Sequence, residues 1–361
     1  MNKKLRIGFL STAGIGRKNW KAVFNSGNCT VAAVASRDPE RSRRFIAECQ
    51  RENPFDPAPE PLGSYAELVA AGNVDAVYIP LPTGLRLEWV RRAAEAGKHV
   101  ICEKPCAASV AELEEMISVC REKRVQFMDG VMFMHSPRLA RVRQVLDDGN
   151  SIGPVRRISS TFSFFGIGNF PRDNIRVDAR LEPTGCLGDL GWYCIRFALW
   201  AMNWQMPHTV TGRILSLSTP ASGRTPAPTE FSGDLVFDGN VSMNFYCSFL
   251  TAFQQRVTVS GEKGWLQIPD FVHPFNGYEP AFEVNRKEVT LVAAAGAKCP
   301  PGVDPMVQGH PTAQDTRMFR NFADQVFSGK LNDDWPMWSL KTQQVMEACF
   351  ESAGTMREKE T

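Results

Sequence analysis

The sequence predicts an α/β protein in which a doubly wound parallel sheet comes first and an α+β domain with a mostly antiparallel sheet follows. Two observations predict this fold class. Apolar strands alternate with helices up to about residue 134, whereas β-rich segments follow one another after it. Because 361 residues exceed what one hydrophobic core usually accommodates, we expect two domains, at residues 1–134 and 135–361.

The strands of the first domain are indicated by unbroken apolar runs, as expected of strands covered on both faces. These runs lie at residues 5–10, 29–36, 75–82, 99–105 and 125–133. Helices are predicted at residues 17–26, from Asp38 onwards, at 86–98 and at 109–123. Gly27 is expected to end the first helix, and Asp38, followed by Pro39, to cap the second.

The second domain is predicted to be rich in strands, at residues 155–165, 209–219, 231–238, 240–250, 255–260 and 264–268. Asp238-Gly239 predicts a hairpin between two of these strands, and "VTVSGEKGWLQI" predicts another. Helices are predicted at residues 187–202, 312–328 and 339–356. The segments 219–230 and 293–311 are rich in proline and glycine and are predicted to be loops.

Composition excludes several classes of partner. A net charge of +2 gives no general reason to expect nucleic acid or an anionic membrane. No apolar run reaches the roughly 18 residues that span a bilayer, and the first residues lack a secretory signal. The ten cysteines are scattered, which suits reduced thiols in the cytoplasm. Cys102 and Cys106 lack a second Cys or His pair, so no metal is expected.

The segment "FLSTAGIGRK" follows the first strand, where a nucleotide-binding G-x-G-x-x-G turn would lie. Ser11 and Ala13 replace the first two glycines and Gly16 keeps the third. Both replacements are small, so backbone N–H groups at the helix start can still bind an anion, provided that φ is negative at Ser11 and Ala13. An ordinary strand–helix turn is the alternative. The candidate pyrophosphate contacts are Ser11, Thr12, Ala13, Gly14, Ile15 and Gly16.

The end of the second strand is expected to select the cofactor. An acidic residue there would bind the ribose 2′-hydroxyl of NAD, but the sequence has Ser36, Arg37 and Asp38. Ser36 can donate a hydrogen bond and Arg37 can hold a phosphate with two, which favours the 2′-phosphate of NADP. The alternatives are a solvated charge for Arg37 and a helix cap for Asp38.

Two further motifs place polar side chains where open α/β sheets bind ligands. In "GKHVICEKPCAAS", Glu103, Lys104 and Pro105 close an apolar strand at the carboxyl edge of the sheet. In "EPTGCLGDLGWYCIRFALW", Asp189 and Tyr193 are four residues apart and share one helical face. Taken singly, Lys104 would be a surface lysine and Tyr193 a core aromatic residue. The carboxylate one turn away favours a site at Tyr193.

These motifs, in this order, resemble those of the Gfo/Idh/MocA oxidoreductases. The resemblance rests on the glycine turn, "SRDPERS", "AAEAGKHVICEKP", "DGVMFMHSPR", "NIRVD" and "LGDLGWYCI", and it covers residues 5–200. Tyrosine stands at position 193, where inositol dehydrogenases of the family carry histidine. The chain is therefore most similar to the branch of dimeric dihydrodiol dehydrogenase, NADP xylose dehydrogenase and their plant relatives.

The resemblance implies a Rossmann domain followed by an α/β domain with a large, open, mostly antiparallel sheet, which often forms the oligomer interface. It implies hydride transfer between NADP, with NAD as a possibility, and a sugar, cyclic polyol or dihydrodiol-like alcohol. The chain is accordingly expected to be a cytoplasmic homo-oligomer, a dimer in the first instance. Its C-terminal helix is expected to pack back on the first domain.

The resemblance also implies roles for individual residues. Tyr193 is expected to be the general acid/base, while Lys104 lowers its pKa from the ordinary value of about 10 and stabilises the alkoxide. Asp189 would orient a substrate hydroxyl or pair with Lys104. Expected cofactor contacts beyond the glycine turn are Ser36, Arg37, Arg41, Leu81, Pro82, Thr83, Arg86, Glu103 and Lys104. Expected substrate contacts are Phe133, Phe164, Phe165, Arg176 and Tyr193, with core or interface packing as the alternative for Phe164, Phe165 and Arg176.

One departure concerns the loop after the third predicted strand. Relatives often have T-P-x-x-x-H there, whereas this chain has Thr83-Gly84-Leu85-Arg86, so substrate preference is expected to differ. Two other functions stay open: an enzyme that keeps and internally recycles its nicotinamide cofactor, and a non-catalytic NADP-binding regulator. A regulator would need neither Lys104 nor Tyr193, so the presence of both residues favours an enzyme.

Overall fold

The computed structural model describes residues 3–274, 281–285, 289–293 and 312–355. Six parallel strands form its first sheet in the order β3-β2-β1-β4-β5-β6. They are β1 (Leu5–Leu10), β2 (Cys29–Ala35), β3 (Glu60–Leu62), β4 (Ala76–Ile79), β5 (His99–Cys102) and β6 (Phe127–Asp129). The order reverses at β1 and β4, and the crevice beyond their carboxyl ends is where such sheets bind ligands. The predicted doubly wound sheet is confirmed.

Five helices connect these strands: α1 (Gly14–Ser26), α2 (Pro39–Glu52), α3 (Tyr65–Ala70), α4 (Arg86–Glu95) and α5 (Val110–Glu122). Gly27 ends α1 with a φ of 82°, as its sequence position predicts. Asp38 caps α2 by accepting a hydrogen bond from the Glu40 N–H at 3.0 Å, which confirms the cap. The short β3 and α3 were not predicted.

The second sheet has eight strands in the order β14-β13-β12-β11-β7-β10-β9-β8. The strands are β7 (Val155–Ser163), β8 (Thr209–Leu217), β9 (Pro228–Phe237), β10 (Val241–Ser248), β11 (Gln254–Gly261), β12 (Trp265–Ile268), β13 (Ala281–Asn285) and β14 (Val289–Ala293). All neighbours are antiparallel except β7 and β10. This confirms the predicted open, mostly antiparallel sheet.

Both predicted hairpins are present, β9–β10 and β11–β12. The first turns at Asp238-Gly239, where Gly239 has a φ of 71°. The prediction of a loop over 219–230 is wrong at its end, because β9 begins at Pro228, which pairs with Leu217 of β8. A proline is tolerated as the first residue of a strand. Most of the loop predicted at 293–311 lies outside the described residues.

The remaining helices are α6 (Pro137–Asp147), α7 (Phe170–Asp173), α8 (Trp192–Ala201), α9 (Gln314–Phe327) and α10 (Asp334–Thr355). α9 packs on α1, and α10 packs on β8 and α8 as well as on α5 and β6 of the first sheet. The Val110 N–H at the start of α5 donates to the Glu347 carboxylate on α10 at 2.5 Å. Buried apolar side chains form one cluster that extends through both sheets.

Three further properties of the described residues concern membrane spans, disulfides and metal sites. Within the described ranges, no helix combines the length and the apolar character needed to cross a bilayer. The cysteines of those ranges are buried and form no disulfide with one another. No group of three or more histidine, cysteine, aspartate or glutamate side chains in the same ranges is arranged to hold a metal ion.

Candidate active site

A cavity of about 460 Å³ lies at the carboxyl ends of β1, β4 and β5 and is closed on its far side by the second sheet. Of the residues predicted from the sequence, those that line it are Ala13, Gly14, Ile15, Leu81, Arg86, Glu103, Lys104, Phe164, Arg176, Asp189 and Tyr193. The structure thus brings the glycine turn, the EKP loop and the Asp189–Tyr193 segment to one place. Ser11, Thr12, Gly16, Ser36, Arg37, Arg41, Pro82, Thr83, Phe133 and Phe165 do not line this cavity.

The start of α1 faces the cavity and is left open. α2, α3 and α5 each carry a side-chain cap and a glutamate in the first turn. α1 has neither a side-chain cap nor an acidic residue in its first turn. A Cβ added at Gly14 would meet no atom within 4 Å. Unpaired N–H groups and the positive end of the helix dipole therefore face free space, as a pyrophosphate requires.

The backbone of the turn differs from the prediction at one position. Ala13 has a φ of −61°, as predicted, but Ser11 has a φ of 149°, so the prediction of a negative φ at Ser11 is wrong. The turn keeps a conformation that suits glycine, and the Ser11 hydroxyl accepts a hydrogen bond from the Ala13 N–H at 3.2 Å. A Cβ at Gly16 would lie 3.1 Å from the Phe45 ring, so this glycine permits close packing of α1.

The side chains that follow β2 lie outside the cavity. Ser36 is buried, whereas Arg37 and Arg41 are exposed. Burial raises the pKa of Tyr65, and the charges of Arg37 and Arg41 oppose that rise. Both arginines therefore lie near the Tyr65 phenol. Neither arginine side chain has a hydrogen bond or an ion pair to another described residue. Beyond the end of β2, two guanidinium groups thus lie near one phenol, and neither has a partner among the described residues.

Arg86 holds the EKP loop in place. Its guanidinium donates to the carbonyl of Leu81 at 2.7 Å, to that of Glu103 at 2.6 Å and to that of Pro105. The side chain is buried although its edge lines the cavity. Because its donors are taken by three carbonyls, the arginine at the family's histidine position fixes the loop that carries Lys104.

The loop after β4 is attached to the second domain. The Thr83 hydroxyl donates to the Glu182 carboxylate at 2.6 Å, and the Thr83 N–H donates to the same carboxylate at 3.2 Å. A Cβ at Gly84 would lie 3.0 Å from the Arg180 carbonyl oxygen, so the two loops approach closely. Thr83 therefore positions this loop and does not itself line the cavity.

Lys104, Asp189 and Arg176 form an ionic cluster at the cavity, in which Lys104 and Asp189 are largely buried and Arg176 is partly exposed. The Lys104 ammonium donates to the Asp189 carboxylate at 2.7 Å and to its carbonyl at 2.6 Å. The Arg176 Nε donates to the other carboxylate oxygen at 2.8 Å. Burial alone would raise the pKa of Asp189, but the two cations outweigh it and hold that pKa below its ordinary value. Asp189 is thus an anion that orients both cations.

Asp189 lies in a π-helical turn, Leu187–Gly191, that leads directly into α8. Such wide turns are frequent at functional sites, because they alter the direction of side chains and carbonyls within a helix. The prediction of one regular helix over 187–202 is corrected here. Asp189 and Tyr193 nevertheless both reach the cavity.

Tyr193 is buried between aromatic rings, and its hydroxyl has one weak contact, to the Met132 sulfur at 3.8 Å. The Lys104 ammonium lies 4.8 Å from the centre of its ring. Burial raises the pKa of Tyr193 well above its ordinary value, and the Glu103 and Asp189 carboxylates raise it further. The prediction that Lys104 lowers this pKa is therefore wrong for this state, because Asp189 already compensates the Lys104 charge.

Glu103 belongs to a separate network on the floor of the cavity. Its carboxylate accepts from the Tyr78 hydroxyl at 2.6 Å, and Asn19 donates to the same hydroxyl at 2.5 Å. A Cβ at Gly130 would lie 3.0 Å from the Glu103 carboxyl carbon, so the carboxylate packs closely against this glycine. This network ties α1, β4 and β5 together beneath the site.

Aromatic side chains close the cavity on the side of the second sheet. Phe162, with its ring centre 5.5 Å from that of Tyr193, and Phe164 line the cavity. Alternation at the end of β7 turns Phe165 outward, where it is 60% exposed, so it is not a wall residue. Phe133 packs behind Tyr193 at 6.2 Å and does not reach the cavity.

Several cavity residues were missed by sequence reasoning, namely Lys18, Asn19, Pro80, Pro105, Gly130, Met132, Phe162, Ile175, Glu182, Leu190, Phe253, His273 and Met318. Two of them carried a usable signal. Lys18 is four residues after Gly14 on α1, and Phe162 is two residues before Phe164 on the same side of the chain. The others reach the cavity through tertiary packing.

Comparison with known proteins agrees with this geometry. Residues 5–131 match the model of the oxidoreductase family with an NAD-binding Rossmann fold, and residues 139–267 match the GFO/IDH/MocA C-terminal domain. The chain is 30% identical to D-xylose 1-dehydrogenase (NADP(+)) 2 of Haloferax volcanii over 356 residues, which cover 97% of this chain and 98% of the relative.

Two further relatives differ in what they act on. The mouse (Mus musculus) trans-1,2-dihydrobenzene-1,2-diol dehydrogenase is 32% identical over 269 residues, which cover 73% of this chain and 74% of the relative. A solved 3-ketoreductase from Actinomadura kijaniata, in complex with NADP and TDP-benzene, is 25% identical. It superimposes with a TM-score of 0.81 over 97% of this chain and 98% of that one. The chain belongs to the Gfo/Idh/MocA family of oxidoreductases.

Proposed function

We propose that the protein is an NADP-dependent oxidoreductase that transfers a hydride between the nicotinamide and a sugar, cyclic polyol or dihydrodiol-like alcohol. The observation that carries the proposal is the meeting of three groups in one cavity. The open N-terminus of α1 suits a pyrophosphate, Lys104 is fixed by Asp189, and Tyr193 lines the same cavity with the Lys104 ammonium 4.8 Å from its ring centre. When bound, the nicotinamide supplies or accepts the hydride.

In the proposed mechanism Tyr193 moves the proton. Its raised pKa keeps the phenol protonated at neutral pH, so it donates to the carbonyl oxygen when a ketone or aldehyde is reduced. Lys104 directs its ammonium toward the oxygen on which negative charge develops. Asp189 holds Lys104 in that position, and the Phe162 and Phe164 rings exclude water from the reacting carbon.

The preference for NADP is proposed from Ser36, Arg37 and Arg41, which lie at the end of β2 where the adenosine ribose of a dinucleotide is bound. Their free guanidinium groups suit a 2′-phosphate. The NADP named for the Haloferax and Actinomadura relatives supports the same preference.

Replacing Arg37 by alanine tests the cofactor preference. We expect the wild type to bind NADPH at least about tenfold more tightly than NADH, and Arg37→Ala to reduce that ratio by about tenfold, because a charge-assisted phosphate contact contributes about 1.5–3 kcal/mol. Fluorescence titration with both cofactors measures the ratio. Arg43→Ala is the matched control, since Arg43 lies nearby on α2 and pairs with Glu40. Equal binding of NADPH and NADH by the wild type would contradict the NADP assignment.

A cofactor-coupled screen tests the proposed activity itself. Absorbance at the nicotinamide band would follow NADP reduction with D-xylose, D-glucose, myo-inositol and trans-1,2-dihydrobenzene-1,2-diol, and NADPH oxidation with a TDP-linked 3-ketosugar. Turnover of at least one of them is expected. Cofactor that stays bound through purification and cycles between an aldehyde and an alcohol would indicate internal recycling. Binding of NADPH with no turnover of any compound would favour a regulator.

We also propose that the open face of the second sheet pairs with a second copy of the chain in the cytoplasm. Leu215 and Leu217 on its edge strand β8 are about half-exposed, and exposed apolar side chains that lie together are typical of protein contact surfaces. The cysteines of the described ranges are buried and unbridged, which supports a reducing compartment.

A further inference from the structure

We propose that His273 binds a substrate hydroxyl opposite Tyr193, and thereby selects polyhydroxylated substrates over their deoxy analogues. The inference deepens the proposed function and rests on it. His273 follows β12 in the second domain, whereas Lys104 belongs to the first, so substrate between them would be held from both sides.

The segment that presents His273 is fixed by three buried side chains. The Gln255 side chain accepts from the His273 N–H and donates to its carbonyl, both at 2.6 Å. The Arg138 guanidinium donates to the Asp270 carbonyl at 2.9 Å and to its carboxylate at 2.5 Å. The Gln314 amide donates to the Val272 carbonyl at 2.5 Å. A binding side chain held on so constrained a backbone loses little entropy when it engages a ligand.

The imidazole itself is left available to a ligand. It lines the cavity, with its ring edge-on to Phe162 at 6.0 Å between centres. Among the described residues, neither ring nitrogen has a hydrogen-bond partner. The contrast between a firmly bonded backbone and an unbonded polar ring directed into a cavity indicates a group reserved for a ligand.

The surroundings of His273 favour its neutral form. Burial, together with the Lys18 and Lys104 charges, lowers its pKa to about 3, against the opposing effect of Asp189. A neutral imidazole has one donor and one acceptor. That pair matches a hydroxyl group, which also donates once and accepts, and it matches an anion poorly. The ligand chemistry is therefore that of an uncharged hydroxyl.

The position of His273 also separates it from the proton-transfer group. The Phe162 ring contacts both, with its centre 5.5 Å from that of Tyr193 and 6.0 Å from that of His273, and the described contacts include none between His273 and Tyr193 themselves. His273 would thus contact a hydroxyl on a carbon other than the one that reacts, and it acts as a specificity-determining residue. Its loss should weaken substrate binding more than it slows the chemical step.

His273→Phe tests this assignment, because it keeps the packing against Phe162 and removes both nitrogens, while His273→Asn returns a donor and an acceptor. Calorimetric titration of D-xylose and D-glucose into NADPH-saturated protein measures binding without turnover, and the coupled assay gives KM and kcat. We expect His273→Phe to weaken binding of the sugar and raise its KM by about tenfold, with NADPH affinity unchanged and part of the loss restored by His273→Asn.

Monodeoxy derivatives of D-glucose test which hydroxyl His273 binds, and substitution of the exposed His208 serves as the control. The derivative that lacks the hydroxyl bound by His273 should bind the wild type about tenfold more weakly than D-glucose does. His273→Phe should bind that derivative and D-glucose equally well, whereas His208→Phe should behave as the wild type. Unchanged sugar affinity and KM in His273→Phe would overturn the inference while leaving the proposed function intact. Failure of the wild type to bind or turn over any sugar would overturn both.

Discussion

Replacing Tyr193 by phenylalanine is expected to lower turnover by about 10²–10⁴-fold, since it removes the proton-transfer group. The ring packs against Phe133 and Phe162, and both contacts survive the change. The hydroxyl loses only its weak contact with the Met132 sulfur. Folding and NADPH affinity should therefore be unchanged. Single-turnover oxidation of NADPH, melting temperature and fluorescence titration measure the three quantities.

The pH dependence of turnover gives the same prediction an independent readout. Because burial raises the pKa of Tyr193 well above its ordinary value, the phenol stays protonated from about pH 6 to 9 and reduction should be insensitive to its titration. Oxidation requires the phenolate, whose population rises about tenfold per pH unit below that pKa. Turnover in Tyr193→Phe equal to that of the wild type, in either direction, would reject Tyr193 as the proton donor.

Replacing Lys104 by methionine is expected to lower turnover by about 10²–10³-fold, the usual effect of removing one group that stabilises charge in the transition state. Methionine keeps most of the length of the side chain and its apolar stem. Asp189 retains its ion pair with Arg176 at 2.8 Å, so no buried carboxylate is left without a cation. The fold should accordingly tolerate the change.

The exposed Lys123 provides a control for the loss of a positive charge, and Lys123→Met should leave turnover unchanged. Single-turnover rates distinguish chemistry from binding. If Lys104→Met instead weakened NADPH binding while single-turnover rates at saturating NADPH stayed those of the wild type, Lys104 would be a cofactor contact and not a group that stabilises the alkoxide.

The parts of the fold that were predictable are those set by local pattern. Apolar runs separated by amphipathic helices define the first sheet, and Asp238-Gly239 marks a hairpin whatever surrounds it. The missed elements include β3, which has three residues and pairs only at the edge of the sheet, and β13 and β14. Such strands exist because a neighbour supplies their hydrogen bonds, and a single sequence does not show that neighbour.

The site residues show the same distinction between local pattern and tertiary packing. Lys104, Asp189 and Tyr193 were identified because short motifs carry them at a strand end and on one helical face. His273 and Phe253 reach the cavity from segments with no chemical signature, because the second sheet folds over the first domain. The φ of Ser11 was mispredicted since a hydrogen bond between its hydroxyl and the Ala13 N–H favours a backbone that steric arguments alone disfavour.

The last described helix, α10, has a consequence for cooperativity. Ser339, Thr342 and Gln343 on it are fully buried, and Thr342 accepts a hydrogen bond from Arg196 of α8 at 2.7 Å. The same helix contacts α5 and β6, so removing it would expose apolar surface on both sheets at once. The two halves of the chain therefore depend on one shared element and should melt together, whatever their separate architectures suggest.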